Sequence, residues 1–152
     1  MTAGPEPAVR VRAQGIPDGR ARVFVRTAAF DVDGQTPFQA GDSAPSALDL
    51  LLAALAADLV IGLGREAARA GVRLDAIEAR LAGALDNPLV ALGVVGETGS
   101  AALSAVTGSV WVETDAEPAS VRELWDRACA RAPAYVTLSR CATVRIALEC
   151  MP

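Results

Sequence analysis

The side chain best suited to chemistry in this sequence is a carboxylate in an apolar segment. Asp58 lies in the middle of the run ALAADLVIGL, residues 54–63. A buried carboxylate without a partner is costly, so we expect Asp58 to pair with an arginine or to act as an acid or base in a pocket, with a partly hydrated residue that has no role as the third alternative. A second carboxylate, Asp49, precedes it. Two such groups can divide the acid and base roles of a hydrolase, although Asp49 also fits a charge at a helix N-terminus.

The other reactive side chains are thiols, and histidine is absent. The sequence has 3 cysteines and 0 histidines, which excludes Ser-His-Asp triads and imidazole metal ligands. Cys129, Cys141 and Cys150 lack CxxC spacing, so neither a disulfide framework nor a thiolate zinc site is expected. We therefore predict no metal and no cofactor.

Length and composition predict a single globular domain over residues 1–152, because 52% of the residues are hydrophobic and 21% are charged. The net charge of −4 gives no basic surface for nucleic acid or for anionic lipid. The N-terminus resembles no signal peptide, and Asp49, Asp58 and Arg65 interrupt the longest apolar run. We expect a soluble cytoplasmic protein without a membrane span.

The elements that must position these side chains follow from periodicity and punctuation. Alternating segments predict an N-terminal antiparallel sheet, and later strands flank a second helix. The predicted strands cover residues 8–14, 20–27, 28–34, 72–87, 103–115 and 142–150, the helices start near residue 46 and at 116, and 88–102 is a loop or hairpin. This order predicts an α+β fold.

The first predicted helix is apolar on nearly every side. We expect it to begin at a Ser43 or Ser46 cap and to end near Ala70, before Gly71. Leucine, isoleucine and valine occupy all faces of its first four turns, residues 48–63. Such a helix must be surrounded by protein, and one chain of 152 residues is too short to enclose it. We therefore predict a homodimer.

Two segments resemble a known family. The stretch from Phe30 to Gly83 contains Gly41, Asp42, Pro45 and Ser46, followed by Leu48, Asp49 and the leucine-rich run 50–55. This arrangement resembles the loop and long helix of the osmotically induced / organic hydroperoxide resistance (OsmC/Ohr) family. The closing segment ARAPAYVTLSRCATVRIAL, residues 130–148, resembles the end of that family's second helix and its last strand.

The resemblance implies two subunits that interlock, with antiparallel sheets wrapped around the long central helices and an active site at the dimer interface. In that family a reactive cysteine attacks an organic hydroperoxide and a second cysteine resolves the product as a disulfide. The positions that match these cysteines here are Asp58 and Ala132. The family's acidic residue and arginine correspond to Asp49 and Arg20.

Several functions remain open at this point. A non-redox protein that keeps the pocket for a small apolar or anionic molecule agrees with the loss of both sulfurs. The alternatives are an altered peroxidase that uses Cys129 and a carboxylate-dependent hydrolase that uses Asp58 and Asp49. Cys129 shares a helical face with Ala132, but a nearby Asp58 would raise the pKa of its thiol, so a buried packing role is expected.

The resemblance also suggests which residues surround Asp58. We predict that Ala132, Cys129 and Glu97 line the pocket, with a solvated loop charge as the alternative role of Glu97. For Asp58 itself we predict an ionised carboxylate held by Arg20 or Arg26 of the N-terminal sheet, because a guanidinium can grip a carboxylate with two parallel hydrogen bonds.

Overall fold

The computed structural model describes residues 9–34 and 44–152. The chain divides into two compact units, Met1–Leu50 and Leu51–Pro152.

The first unit contains the predicted antiparallel sheet. Its strands are β1 (Arg12–Gly15), β2 (Ala21–Val25) and β3 (Ala28–Val32), paired in that order. The alternating pattern and the IPDG turn identified all three, although β1 begins at residue 12 and not at 8. Gly41 and Asp42, which the family resemblance uses, lie outside the described residues.

The long helix α1 (Ala47–Ala70) starts at a reciprocal cap. The Ser46 hydroxyl accepts the Asp49 N–H at 3.1 Å, and the Asp49 carboxylate accepts the Ser46 N–H at 2.9 Å and its hydroxyl at 2.7 Å. This arrangement satisfies backbone donors that the first turn leaves free. Gly71 ends the helix with φ +68°, a left-handed conformation that glycine adopts without a steric penalty.

The second unit is built on a mixed sheet of β4 (Ala76–Leu85), β5 (Leu103–Glu113) and β6 (Thr143–Met151), in the order β4-β5-β6. β4 and β5 are antiparallel, whereas β5 and β6 are parallel. The expectation of purely antiparallel sheets is therefore wrong at β6, because two helices intervene and return the chain in the same direction. At Gly108 in β5, an added Cβ would lie 2.1 Å from the Arg80 carbonyl oxygen, so only glycine fits.

Three further helices follow α1. They are α2 (Pro88–Ala91), α3 (Pro118–Arg131) and α4 (Pro133–Leu138). α2 lies in the segment predicted as a loop or hairpin. α3 agrees with its prediction, but α4 was missed, because Pro133 was taken as the end of α3 and also serves as the first residue of α4.

The core of the second unit lies between α1, α3 and the mixed sheet. The largest fully buried side chains are Leu55, Leu59, Leu63, Leu124, Val106, Val110, Val112 and Val121. Other apolar side chains of α1 are not enclosed by the single chain, since Leu51 is 41% and Ile61 57% exposed. The all-round apolar helix therefore has only part of its surface covered.

Helix α1 is long and apolar enough to cross a membrane by length and composition alone. The helix has 24 residues, and an 18-residue window in it has a mean hydropathy of 2.0. The core helix of a soluble protein meets the same criteria, because a helix enclosed by protein and a helix enclosed by lipid are both apolar all round.

Candidate functional site

Asp58 and Ala132, which the family resemblance predicts at the positions of the two cysteines, line one cavity of about 320 Å³ between α1 and α3. Its lining among the described residues is Asp58, Ile61, Gly62, Arg65, Glu66, Arg69, Ala128, Arg131, Ala132 and Pro133. Cys129 and Glu97, which were predicted to line the pocket, are not among these described lining residues. The cavity is therefore lined by charged side chains of α1 and α3 and by apolar residues, including Ile61 of α1, Ala128 of α3 and Pro133 of α4.

The carboxylate of Asp58 caps helix α4. Its Oδ2 accepts the backbone N–H of Ala134 at 2.8 Å. Pro133 has no N–H, and the N-cap residue Ala132 has no side-chain acceptor, so the Ala134 N–H is the first donor of α4 in need of a partner. Asp58 supplies from α1 the acceptor that a serine or aspartate normally supplies at the cap position.

Within the second unit and its described residues, the Asp58 carboxylate has one polar contact, the Ala134 N–H, and the ion pair with Arg20 or Arg26 of the N-terminal sheet stays a prediction. Arg20 pairs with Asp18 and lies 3.8 Å from Asp31. The prediction assumed full burial, but Asp58 is only partly buried. Water and a helix N-terminus can therefore satisfy its charge without a guanidinium.

A buried acid lies beside Asp58 on the cavity wall and was missed by the sequence reasoning. Glu66 is 5% exposed, and its Oε1 accepts hydrogen bonds from Arg69 and Arg131, each at 2.7 Å. Arg127 lies 3.6 Å from Oε2. The hydrogen bond from Arg131 is the main cause that lowers the pKa of Glu66 below 4.5. The i, i+3 spacing of Glu66 and Arg69 is a sequence signal for the ion pair between them. The contact of Glu66 with Arg131 depends on the packing of α1 against α3, which the sequence does not show.

The thiols of the chain lie outside the cavity. Cys129 is buried, and burial together with the charge of Asp126 raises the pKa of its thiol to about 12. The direction of this shift was predicted, although the acid responsible is Asp126 and not Asp58. Cys141 is exposed and Cys150 is half-buried. None of the three thiols is in the lining of the cavity that contains Asp58.

The remaining predicted site residues have local structural contacts. Asp49 is bound to Ser46 at the start of α1, and the hydrogen bonds from Ser46 lower the pKa of the Asp49 carboxyl. Glu97 accepts a hydrogen bond from the Asn87 side-chain amide at 3.1 Å. In the part of the chain that the structure describes, no cluster of three or more Cys, Asp and Glu residues is placed to hold a metal ion.

Comparison with known proteins agrees with this architecture. The family model described as OsmC-like protein matches residues 40–147. A search of curated proteins gives no match.

Three solved structures illustrate the similarity of fold. An OsmC-like protein from Mycoplasma pneumoniae has 15% identity and a TM-score of 0.81, with 97% of this chain and 99% of that chain covered. The organic hydroperoxide resistance protein OhrB of Bacillus subtilis has 18% identity and a TM-score of 0.64, over 93% and 98% of the chains. An organic hydroperoxide resistance protein from Legionella pneumophila has 14% identity and a TM-score of 0.69, over 96% and 99%. The two-sheet α+β fold and the matched sequence together show that this chain belongs to the OsmC-like protein family.

Proposed function

We propose that this OsmC-like protein binds a small molecule in the cavity beside Asp58 and does not reduce hydroperoxides through a thiol. Organic hydroperoxide resistance proteins occur among the structures of the same fold. The observation that carries the proposal is the meeting of Asp58 and Ala132 in one cavity. These are the positions where the family resemblance expects the two sulfurs, so the pocket is retained while the sulfurs are replaced.

The chemistry of thiol peroxidases explains why these replacements matter. The nucleophile is a thiolate, which becomes a sulfenic acid when it takes the peroxide oxygen. Neither a carboxylate nor an alanine methyl group can undergo that oxidation. Cys129 does not substitute for them, because a pKa of about 12 leaves on the order of one thiol in 10⁵ ionised at neutral pH.

The hydrolase alternative loses support from the same geometry. General acid and base catalysis needs carboxylates that can reach a substrate. Asp49 is bound to Ser46 at the helix cap, and one oxygen of Asp58 is bound to the Ala134 N–H. These contacts favour structural roles over paired catalysis.

A homodimer completes the proposal. Only 17% of the apolar 18-residue window of α1 is buried in the single chain. OsmC/Ohr homologues are usually dimers, and the family is typically soluble. Ile61 lines the cavity and is 57% exposed, so a partner that covers α1 also encloses this end of the cavity. We propose a cytoplasmic homodimer with the cavity at its interface.

Light scattering at micromolar protein concentration tests the dimer. The expected mass is twice the 15.6 kDa of the chain. A homogeneous species with the mass of one chain would contradict the proposed interface.

Peroxidase assays test the proposed loss of thiol chemistry. Cumene hydroperoxide and tert-butyl hydroperoxide are supplied with dithiothreitol or dihydrolipoamide, and consumption is expected to equal the rate without protein. Cys129→Ser serves as the matched control variant. Turnover by the natural protein that disappears in Cys129→Ser would overturn the proposal and establish the altered peroxidase instead.

A further inference from the structure

We infer that the cavity between α1 and α3 recognises a small organic monocarboxylate and that Arg65 binds its carboxylate group. This inference rests on the proposed binding function and names the chemical class of the ligand. It follows from three properties of the lining: its charge balance, the hydrogen-bond donors that remain unused, and the size and character of the apolar wall.

The charges of the lining leave a positive excess. Three arginines, Arg65, Arg69 and Arg131, face two acids, Asp58 and Glu66. The cavity therefore has a net charge of +1 in a chain with a net charge of −4. A local excess of the opposite sign to the whole protein selects an anion, and one excess charge matches a monoanion.

The two acids are already engaged, whereas Arg65 is not. Oε1 of Glu66 accepts from Arg69 and Arg131, and Asp58 accepts from Ala134. Across residues 9–34 and 44–152, Arg65 forms no hydrogen bond and no ion pair. A guanidinium has five N–H donors in a planar fork that fits a carboxylate with two parallel bonds. Arg65 is thus the cation of the lining that has its full donor set available.

The rest of the lining suits a short aliphatic group. Ile61, Ala128, Ala132 and Pro133 supply apolar surface, and the lining residues that belong to 9–34 and 44–152 include no aromatic ring. A volume of about 320 Å³ is at the small end of the range for ligand pockets. A bulky or flat aromatic acid gains no stacking partner here. A short-chain aliphatic carboxylate places its charge at Arg65 and its chain along the wall formed by α3 and α4.

Calorimetric titration of the natural full-length protein with hexanoate, at low ionic strength, tests this assignment. 1-Hexanol provides a neutral ligand with the same chain. Arg65→Gln removes the proposed charge, and Arg122→Gln is the matched control, because Arg122 is also an exposed helical arginine without an ion pair in the described part of the chain.

We expect hexanoate to bind at least tenfold more tightly than 1-hexanol. Arg65→Gln should weaken hexanoate binding by about tenfold or more, since a hydrogen bond to a charged group carries at least that factor, while Arg122→Gln leaves it unchanged.

The alternative outcomes separate this inference from the proposed function. Equal binding of hexanoate and 1-hexanol would overturn the choice of an anion but keep the small-molecule cavity. Hexanoate binding that Arg65→Gln leaves intact would overturn the assignment of Arg65. Failure of both ligands to bind would overturn the inference. If neither ligand binds and Arg65→Gln weakens the dimer, the result indicates that Arg65 contacts the partner subunit and not a ligand. The peroxidase assay remains independent of all these results.

Discussion

Replacing Asp58 with alanine tests the role that the structure gives to this carboxylate. The substitution removes the acceptor of the Ala134 N–H and leaves the first turn of α4 without a cap. Loss of a helix N-cap costs about 0.5–2 kcal/mol, and loss of a hydrogen bond to a charged group about 1.5–3 kcal/mol. Because Asp58 is only partly buried, water replaces some of this interaction. We expect the free energy of unfolding to fall by about 1–2 kcal/mol.

This magnitude differs from the one that an ion pair would give. Removing one partner of a buried salt bridge costs about 3–5 kcal/mol, because the other charge stays buried alone. For a protein of this length, about 1–2 kcal/mol corresponds to a fall in melting temperature of about 2–8 °C. Thermal unfolding followed by circular dichroism measures it, with all variants at the same protein concentration because dimer stability depends on concentration.

Two companion variants make the measurement specific. Asp58→Asn keeps an acceptor oxygen and should lose less stability than Asp58→Ala. Asp126→Ala removes an exposed helical carboxylate and should stay within about 0.5 kcal/mol of the natural protein. A loss below about 0.5 kcal/mol for Asp58→Ala would refute the capping role. A loss of about 3–5 kcal/mol would instead indicate that an arginine of the partner subunit holds Asp58.

The remaining predictions concern Glu66 and Cys129. Glu66→Gln should have a lower melting temperature than the natural protein at neutral pH. The lowered pKa of Glu66 contributes stability above its unfolded pKa of 4.5. This stability is lost as the pH falls through the folded pKa. The difference in melting temperature should therefore narrow below pH 4.5, and a difference that stays constant down to pH 2 would contradict the arginine pairing. In the folded protein at pH 8, iodoacetamide should label the exposed Cys141 and leave the buried Cys129 unmodified. Mass spectrometry of the peptides measures this, and rapid labelling of Cys129 would show that its thiol is accessible.

The elements with strong local signals were predicted from sequence. Alternation identified β2 and β3, and the apolar run between Ser46 and Gly71 marked α1 almost to its ends. The buried stripe of α3, including Val121, Leu124 and Trp125, followed from its spacing. α4 was missed because a proline that ends one helix also begins another, and local sequence does not distinguish these roles.

The candidate site was predicted only in part. The family resemblance singled out Asp58 and Ala132, and the structure places both on one cavity. Cys129 and Glu97 were also expected in the pocket lining but are not among the described residues that line this cavity. The direction in which a loop or helix side chain points depends on packing. Arg65 and Glu66 drew no attention as site residues, since a charge run on a helix is usually solvated.

Sequence alone determined the family and the order of the main elements, and the family resemblance predicted Asp58 and Ala132 at the positions of the reactive pair. Residue identity and periodicity are local properties, so they can be recognised without coordinates. Only the tertiary structure decided that β6 runs parallel to β5, that Asp58 caps α4, and that arginines of α3 converge on Glu66 of α1. These contacts join residues far apart in the chain, and their partners are chosen by how helices and strands pack.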